Sequence, residues 1–357
     1  MAISTQPIDD AKLQAFIGQV VTDMGATLGA ALVVIGDRLG LYRAMAEGGP
    51  ATSDELATRT GTAERYVREW LINQAAGGYV AYDAAAGRYY LPPEQAAALA
   101  DETSPFAVGA LQIVTAMVKA EERILENFRT GEGMLWGEHH PMLFEGTERF
   151  FRPGYNANLV NNWIPALDGV HERLVRGAAV ADVGCGHGAS CVILAQAYPN
   201  SHIYGFDNHE PSIVRAREAA AKAGVADRVT FEVANAQNYA APISGFDLIA
   251  YFDCLHDMGD PIGACRHAYE SLTPDGTVLI VEPMAGDHPE ENFNPVGRVY
   301  AGASTLCCTP NALASGGHAL GTVATEAALR DVVTSGGFTH FRRATETPVN
   351  RIFEAKR

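Results

Sequence analysis

A chain of 357 residues, 47% of them hydrophobic and 19% charged, can bury more than one sizeable core. Its net charge of -16, from 42 acids against 26 bases, excludes a general affinity for nucleic acid or anionic lipid, which would need a surplus of Lys and Arg. The six cysteines (Cys185, Cys191, Cys254, Cys265, Cys307, Cys308) show no CxxC spacing, so neither a zinc ribbon nor a disulfide scaffold is expected, no metal site is expected, and a reducing cytoplasm fits.

The start, MAISTQPIDD, holds two acids and no base, unlike the positive head of a secretory leader. From Lys12 to about Met45 apolar residues recur at Leu13, Phe16, Ile17, Val20, Val21, Met24, Leu28, Leu32 and Ile35, the spacing of one or two helices. The most apolar run, Met24 to Gly36, lies between Asp23 and Asp37 and is too short to span a bilayer, so no membrane segment is expected. A helix this apolar needs a partner surface, and Gly25, Gly29, Gly36 and Gly40 permit close approach; a subunit interface is the reading, with burial inside the chain as the alternative.

The next stretch predicts a helix after Ser53, a second opened by Thr62 and Arg65 and stopped by Gly77 and Gly78, and a hairpin in YVAYDAAAGRYYL. Helix, turn, helix, hairpin is a winged-helix pattern. Residues 1–100 nevertheless hold seven bases and eleven acids, and the second helix pairs Arg65 and Arg68 with Glu64 and Glu69. A dimerising module fits that balance better than a reader of DNA. Residues 101–176, with PFAVGALQIVTAMVKAEERILENF and a Gly-rich aromatic stretch, read as a helical connector and pocket roof; adjacent His139 and His140 diverge on a helix and are taken as surface or supporting residues.

From residue 177 to 357 the pattern changes. Apolar runs AAVADV, SHIYGF, RVTFEV, FDLIAYF and GTVLIVEP alternate with helical segments, then TEAALRDVVTSGGF is followed by strands near HFRRA and NRIFEAK. Strand and helix in alternation predict an α/β domain with a doubly wound sheet, whose ligands bind beyond the carboxyl ends of the strands. Three glycines, Gly184, Gly186 and Gly188, follow the first strand and open a helix, where backbone can lie against a ligand. Their GxGxG spacing differs from the GxGxxG of dinucleotide binders, which argues against a nicotinamide oxidoreductase.

DVGCGHG resembles the first motif of the class I methyltransferases that use S-adenosylmethionine (SAM). The resemblance implies a seven-stranded Rossmann-like methyltransferase sheet behind a helical winged-helix domain, with SAM as cofactor. Asp207, 23 residues beyond Gly184, falls where the family has an acid for the ribose hydroxyls. Asn235 falls where the family often has an Asp facing the adenine amino group, and Asp182 where an acid helps hold the methionine end. The same resemblance assigns Asn208, Ala236 and Phe252 to the cofactor with Gly184 and Gly186.

The segment YFDCLHDMGDP resembles the small-molecule O-methyltransferases best known from plants, in which a His-Asp pair follows the fourth strand. By that resemblance His256 is the base, Asp257 supports it, and Glu282 in LIVEP holds its other ring nitrogen. Met258 here replaces an aromatic residue, and Phe252 stands where that family commonly has a lysine. The expectation is a cytoplasmic, homodimeric methyltransferase joined through its N-terminal domain and acting on the oxygen of a small, partly hydrophobic metabolite. N- or C-methylation on the same scaffold, or a SAM-binding regulator without catalysis, are the alternatives. Tyr300, Cys307, Cys308, Asn311 and His318, with Phe150, Phe151, Tyr155 and Trp163, are candidates for the acceptor surface, with core packing as the alternative for each.

Overall fold

A computed structural model describes residues 7–103 and 107–357. The first six residues, part of the leader reading, and residues 104–106, at the head of the expected connector helices, lie outside the described residues. The chain divides into two compact units, Met1–Thr115 and Ala116–Arg357.

The first unit opens with helix α1 (Asp10–Arg38), capped by the Asp9 carboxylate on the N–H groups of Ala11 and Lys12. Short α2 (Leu41–Gly48) follows, then α3 (Ser53–Thr60), which starts with a reciprocal capping box between Thr52 and Glu55. α4 (Glu64–Ala76) leads into the hairpin β1 (Ala81–Asp83) and β2 (Arg88–Tyr90), then α5 (Pro93–Leu99) and α6 (Ala107–Val118). The winged-helix order read from the sequence is therefore present. On α4, Arg68 binds Glu64 at 2.8 Å and Arg65 binds Glu69, so both arginines are engaged along their own helix.

The core of this unit gathers Val33, Leu41, Tyr42, Met45, Leu56, Trp70 and Leu71. Helix α1 is longer than its most apolar run: at 29 residues it is long and apolar enough to cross a membrane by length and composition, a test that also passes core helices. Its Gly25 and Gly29 do not interrupt it. Little of the helix is covered within the unit, for Phe16, Val21, Met24 and Leu28 are at least 60% exposed.

The second unit continues with α7 (Glu121–Thr130), α8 (Met142–Asn158) and α9 (Val170–Arg176), and then the sheet begins. Strands and helices alternate as β3 (Ala179–Val183), α10 (Ala189–Ala197), β4 (His202–Asp207), α11 (Glu210–Lys222), β5 (Val229–Val233), β6 (Phe246–Phe252), α12 (Pro261–Ser271) and β7 (Leu272–Pro283). α13 (Pro295–Ala303), α14 (Thr309–Ala314) and α15 (Glu326–Ser335) precede the hairpin of β8 (His340–Glu346) and β9 (Asn350–Lys356). The seven strands lie in the order β5-β4-β3-β6-β7-β9-β8, parallel except for β9, which is antiparallel to both neighbours.

Two apolar layers cover this sheet, one around Leu194, Ile203, Leu248 and Leu279, the other around Phe206, Ile249, Ile280 and Phe353. Burial on both faces explains why these strands read as nearly continuous apolar runs. The direction of winding reverses between β3 and β6, and the crevice beyond their carboxyl ends is where this class of sheet binds ligands.

Within the first unit Gly36 is the tightest helix contact: a Cβ there would lie 2.5 Å from Trp70 Cζ2, and the indole N–H is held by the Leu32 carbonyl at 2.8 Å. Gly36→Ala gains about 1 kcal/mol of helix propensity and loses about 1–3 kcal/mol to overpacking against a ring that cannot retreat. Urea unfolding is expected to show net destabilisation, reduced when Trp70→Phe removes the opposing ring atoms in the double variant.

Candidate active site

The turn after β3 is fastened to β4. The N–H groups of Gly184 and Cys185 both donate to the Phe206 carbonyl, at 2.8 and 3.0 Å, and the Gly186 N–H donates to Asp207 Oδ2 at 2.8 Å. Gly184 (φ +80°) has no room for a side chain, since a Cβ would lie 2.9 Å from Cys254 Sγ. Gly186 (φ +52°) has nothing within 4 Å of that position, so its missing side chain leaves an open backbone face toward the cavity.

That cavity, of about 510 Å³, lies at the reversal point of the sheet. Gly184, Gly186, Asp207, Asn208, Asn235, Ala236, Phe252 and Asp257 line it; Asp182, His256 and Glu282 do not. Asp207 accepts from Gly186 through one oxygen and from the His209 N–H (2.9 Å) through the other. Burial raises its pKa while these two bonds oppose the rise.

Asp182 is fully buried behind the turn. Its Oδ2 accepts from Ser190 Oγ and from Cys191 Sγ (3.1 Å), while Oδ1 has no protein partner. Desolvation raises its pKa to about 6 against the pull of those bonds. Ser190 does line the cavity, so it is the link between Asp182 and that space.

His256 sits in a short turn after β6, enclosed. Its Nδ1 lies 2.7 Å from Glu282 Oε2, and its backbone N–H donates to Glu282 Oε1 at 3.3 Å. Glu282 can reach because β7 runs beside β6, with Phe252 opposite Val281. Burial disfavours the imidazolium, but Glu282 and Cys308 outweigh it and hold the His256 pKa well above the usual histidine value. The Cys308 thiol accepts from Thr322 Oγ1 at 3.2 Å and is drawn well below the usual thiol range, with Cys307 and His256 favouring the thiolate against burial. Asp257 is pushed well above the carboxylate range by burial and by the neighbouring Cys308 and Glu282.

Phe151, Tyr155 and Asn311, three of the residues read as acceptor surface, line the cavity. Asn311 accepts from the Trp136 N–H at 2.9 Å and donates to the Asp257 carbonyl at 3.0 Å. Trp163 and Cys307 are core residues, and His318 is exposed away from the lining. His140 is exposed as expected of a surface residue, but His139 is enclosed at 4% exposure with neither ring nitrogen partnered. Sequence reading missed Asp253: it lines the cavity with a non-glycine φ of +51°, Oδ1 takes a 2.8 Å bond from Asn350 Nδ2, and Oδ2 is enclosed without a partner. A lone Asp at a strand end carries no signal of that kind.

A family model for a methyltransferase domain matches residues 174–327, and one for an Rv2258c-like winged helix-turn-helix domain matches residues 26–101. The 27-O-demethylrifamycin SV methyltransferase of Amycolatopsis mediterranei (strain S699) is 31% identical over 128 residues, 34% of this chain and 47% of that protein. The chain thus spans about half the length of this curated relative. Among solved structures, mitomycin 7-O-methyltransferase aligns with a TM-score of 0.71 at 20% identity, covering 98% of this chain and 100% of that one. Human N-acetylserotonin methyltransferase in complex with SAM aligns with a TM-score of 0.70 at 15% identity, covering 99% of each chain. Both are likenesses of fold.

The His256–Glu282 pair sets a pH test. A histidine whose native pKa is raised contributes stability that is complete below its unfolded value of about 6.5 and is lost as pH climbs through the raised native value. His256→Gln leaves Glu282 buried without its cation, an expected loss of about 3–5 kcal/mol near pH 6 that shrinks at alkaline pH. Urea unfolding of both proteins across this range measures it. With its glycine turn and sheet order, the chain carries a methyltransferase domain over residues 174–327 and a winged helix-turn-helix domain of the Rv2258c-like type over residues 26–101.

Proposed function

We propose that the protein transfers the methyl group of SAM to the hydroxyl of a small, partly hydrophobic metabolite, with His256 as general base. The observation that carries the reading is the meeting of Gly184, Gly186, Asp207, Asn235 and Ala236 on one cavity, with the His256–Glu282 pair at the end of the adjacent strand. The open backbone at Gly186, the ribose-ready carboxylate of Asp207 and the unpartnered Asp182 Oδ1 fit a nucleoside bearing an amino-acid tail. Bound SAM would supply a methyl group activated by a sulfonium. Asp207 would accept from the ribose hydroxyls, Asn235 with Asn208 and Ala236 would hold the adenine end, and Asp182 with Ser190 the amino-acid end. Phe252, packed on Tyr155 and Trp163, keeps water from the wall of the site.

In the reaction His256 would take the proton that the acceptor hydroxyl loses, and Glu282 would balance the resulting imidazolium. Relatives and neighbours named as O-methyltransferases support oxygen as the accepting atom. A homodimer through the exposed apolar face of α1 belongs to the same reading, as does a cytoplasmic location, which suits six unpaired cysteines. The engagement of Arg65 and Arg68 by Glu69 and Glu64 supports a small-molecule acceptor rather than a nucleic acid.

Calorimetric titration with S-adenosylhomocysteine is expected to give micromolar binding that Asp207→Ala abolishes; equal binding by both proteins would remove Asp207 from the cofactor. His256→Ala is expected to lower kcat for a hydroxyl acceptor by about 10²–10⁴-fold. Because its pKa is raised, the base is free only as pH climbs, so wild-type turnover is expected to increase toward alkaline pH and the variant's to lose that dependence. A flat wild-type profile would count against His256.

A further inference from the structure

The charge on the cavity wall is one-sided. Glu148, Asp207, Asp253 and Asp257 line it, and no Lys or Arg does among the described residues. The single lining histidine, His187, is already engaged by Glu148 at 3.1 Å, and Glu148 also takes Arg152 at 2.9 Å. Asp207 braces the turn after β3 and, in the reading above, faces the ribose of the cofactor. Two carboxyls remain near the end of β6, Asp253 and Asp257. Facing the same space are the aromatic rings of Trp136, Phe144, Phe151, Tyr155 and Phe252, with Phe151 and Tyr155 stacked at 5.9 Å.

Asp253 is held there at a conformational cost. A non-glycine residue in the left-handed region is sparse, and an enclosed carboxyl oxygen without a partner is unfavourable unless the carboxyl keeps its proton or gains a companion. Asn350 fixes one oxygen from β9, so the strained position is imposed by the surrounding sheet. Burial, with Glu282 adding to it, pushes the Asp253 pKa to about 8. A cation or a hydrogen-bond donor in the cavity would offset that burial, whereas a carboxylate would find no cationic side chain to pair with. Aromatic faces beside carboxyls suit a planar ring and a positive charge alike.

We propose that the methyl acceptor is an aromatic compound bearing hydroxyl or amine groups, neutral or cationic overall, and that Asp253 and Asp257 select it against carboxylates. The proposal rests on the methyl-transfer reading above and gives its substrate class.

The test uses three compounds that share a phenol ring and differ at one terminus: tyramine (ammonium), tyrosol (hydroxyl) and para-hydroxyphenylacetate (carboxylate). Each is titrated into the full chain saturated with S-adenosylhomocysteine. Tyramine and tyrosol are expected to bind, with the carboxylate at least about tenfold weaker than tyrosol, because burying its charge meets no cationic side chain among the described lining residues. Asp253→Asn keeps the side-chain shape, and Asn tolerates the left-handed region, so the variant is expected to fold; a thermal melt checks this. It is expected to reduce the preference for tyramine over the carboxylate by about tenfold, and Asp257→Asn to act in the same direction.

Carboxylate binding as tight as that of tyrosol, binding by none of the three, or an unchanged preference in both folded variants would each overturn the proposal. If S-adenosylhomocysteine itself does not bind, the methyl-transfer reading fails first and takes this one with it, an outcome the preliminary titration alone identifies.

Discussion

The site depends on the bonding between the turn after β3 and the end of β4. Two consecutive N–H groups share the Phe206 carbonyl, and a third finds the Asp207 carboxylate, so the glycine turn and the acid are a single unit. Asp207 cannot be moved or neutralised without loosening the backbone that forms the cavity floor. The bonds explain why spacing mattered more than the count of glycines: one is needed where Cys254 leaves no room, and another where backbone must stay bare.

A second constraint lies behind the wall. Glu282, His256 and Cys308 sit out of the cavity, and Asp253 and Asp257 stand between the same strand ends and that space. Several ionisable groups thus share a small buried volume and cannot all be charged at once. His256, with Glu282 2.7 Å from its ring nitrogen, favours its cation; the raised carboxyls beside it have less to stabilise a charge. Any cation arriving in the cavity changes that balance in favour of ionised Asp253 and Asp257.

Most of the architecture was legible because it is written in local patterns. Strands buried on both faces read as apolar runs, β6 matches FDLIAYF end to end, Gly77 and Gly336 mark where helices end, and Gly87 marks where the hairpin turns. The glycine spacing and the acid that follows it were legible as well. Residues whose meaning depends on distant partners were not. Asp253 is defined by Asn350, 97 positions away, and Ser190 is notable only because its hydroxyl meets a buried carboxylate. His139 gave no sign of being enclosed with both ring nitrogens unpartnered. The N-terminal helix shows a different limit: its pattern says that apolar surface wants cover without saying what supplies it.

The placement of β9 has a consequence for how the protein is made. This strand slots between β7 and β8 although it follows both in the chain, and it brings Asn350 to Asp253. A ribosome therefore emits the glycine turn, His256 and Glu282 well before the strand that finishes the sheet and clamps the wall. Until then the long apolar edge of β7 is unpaired, which makes the nascent chain dependent on protection during synthesis and makes a competent cavity a late event in its folding.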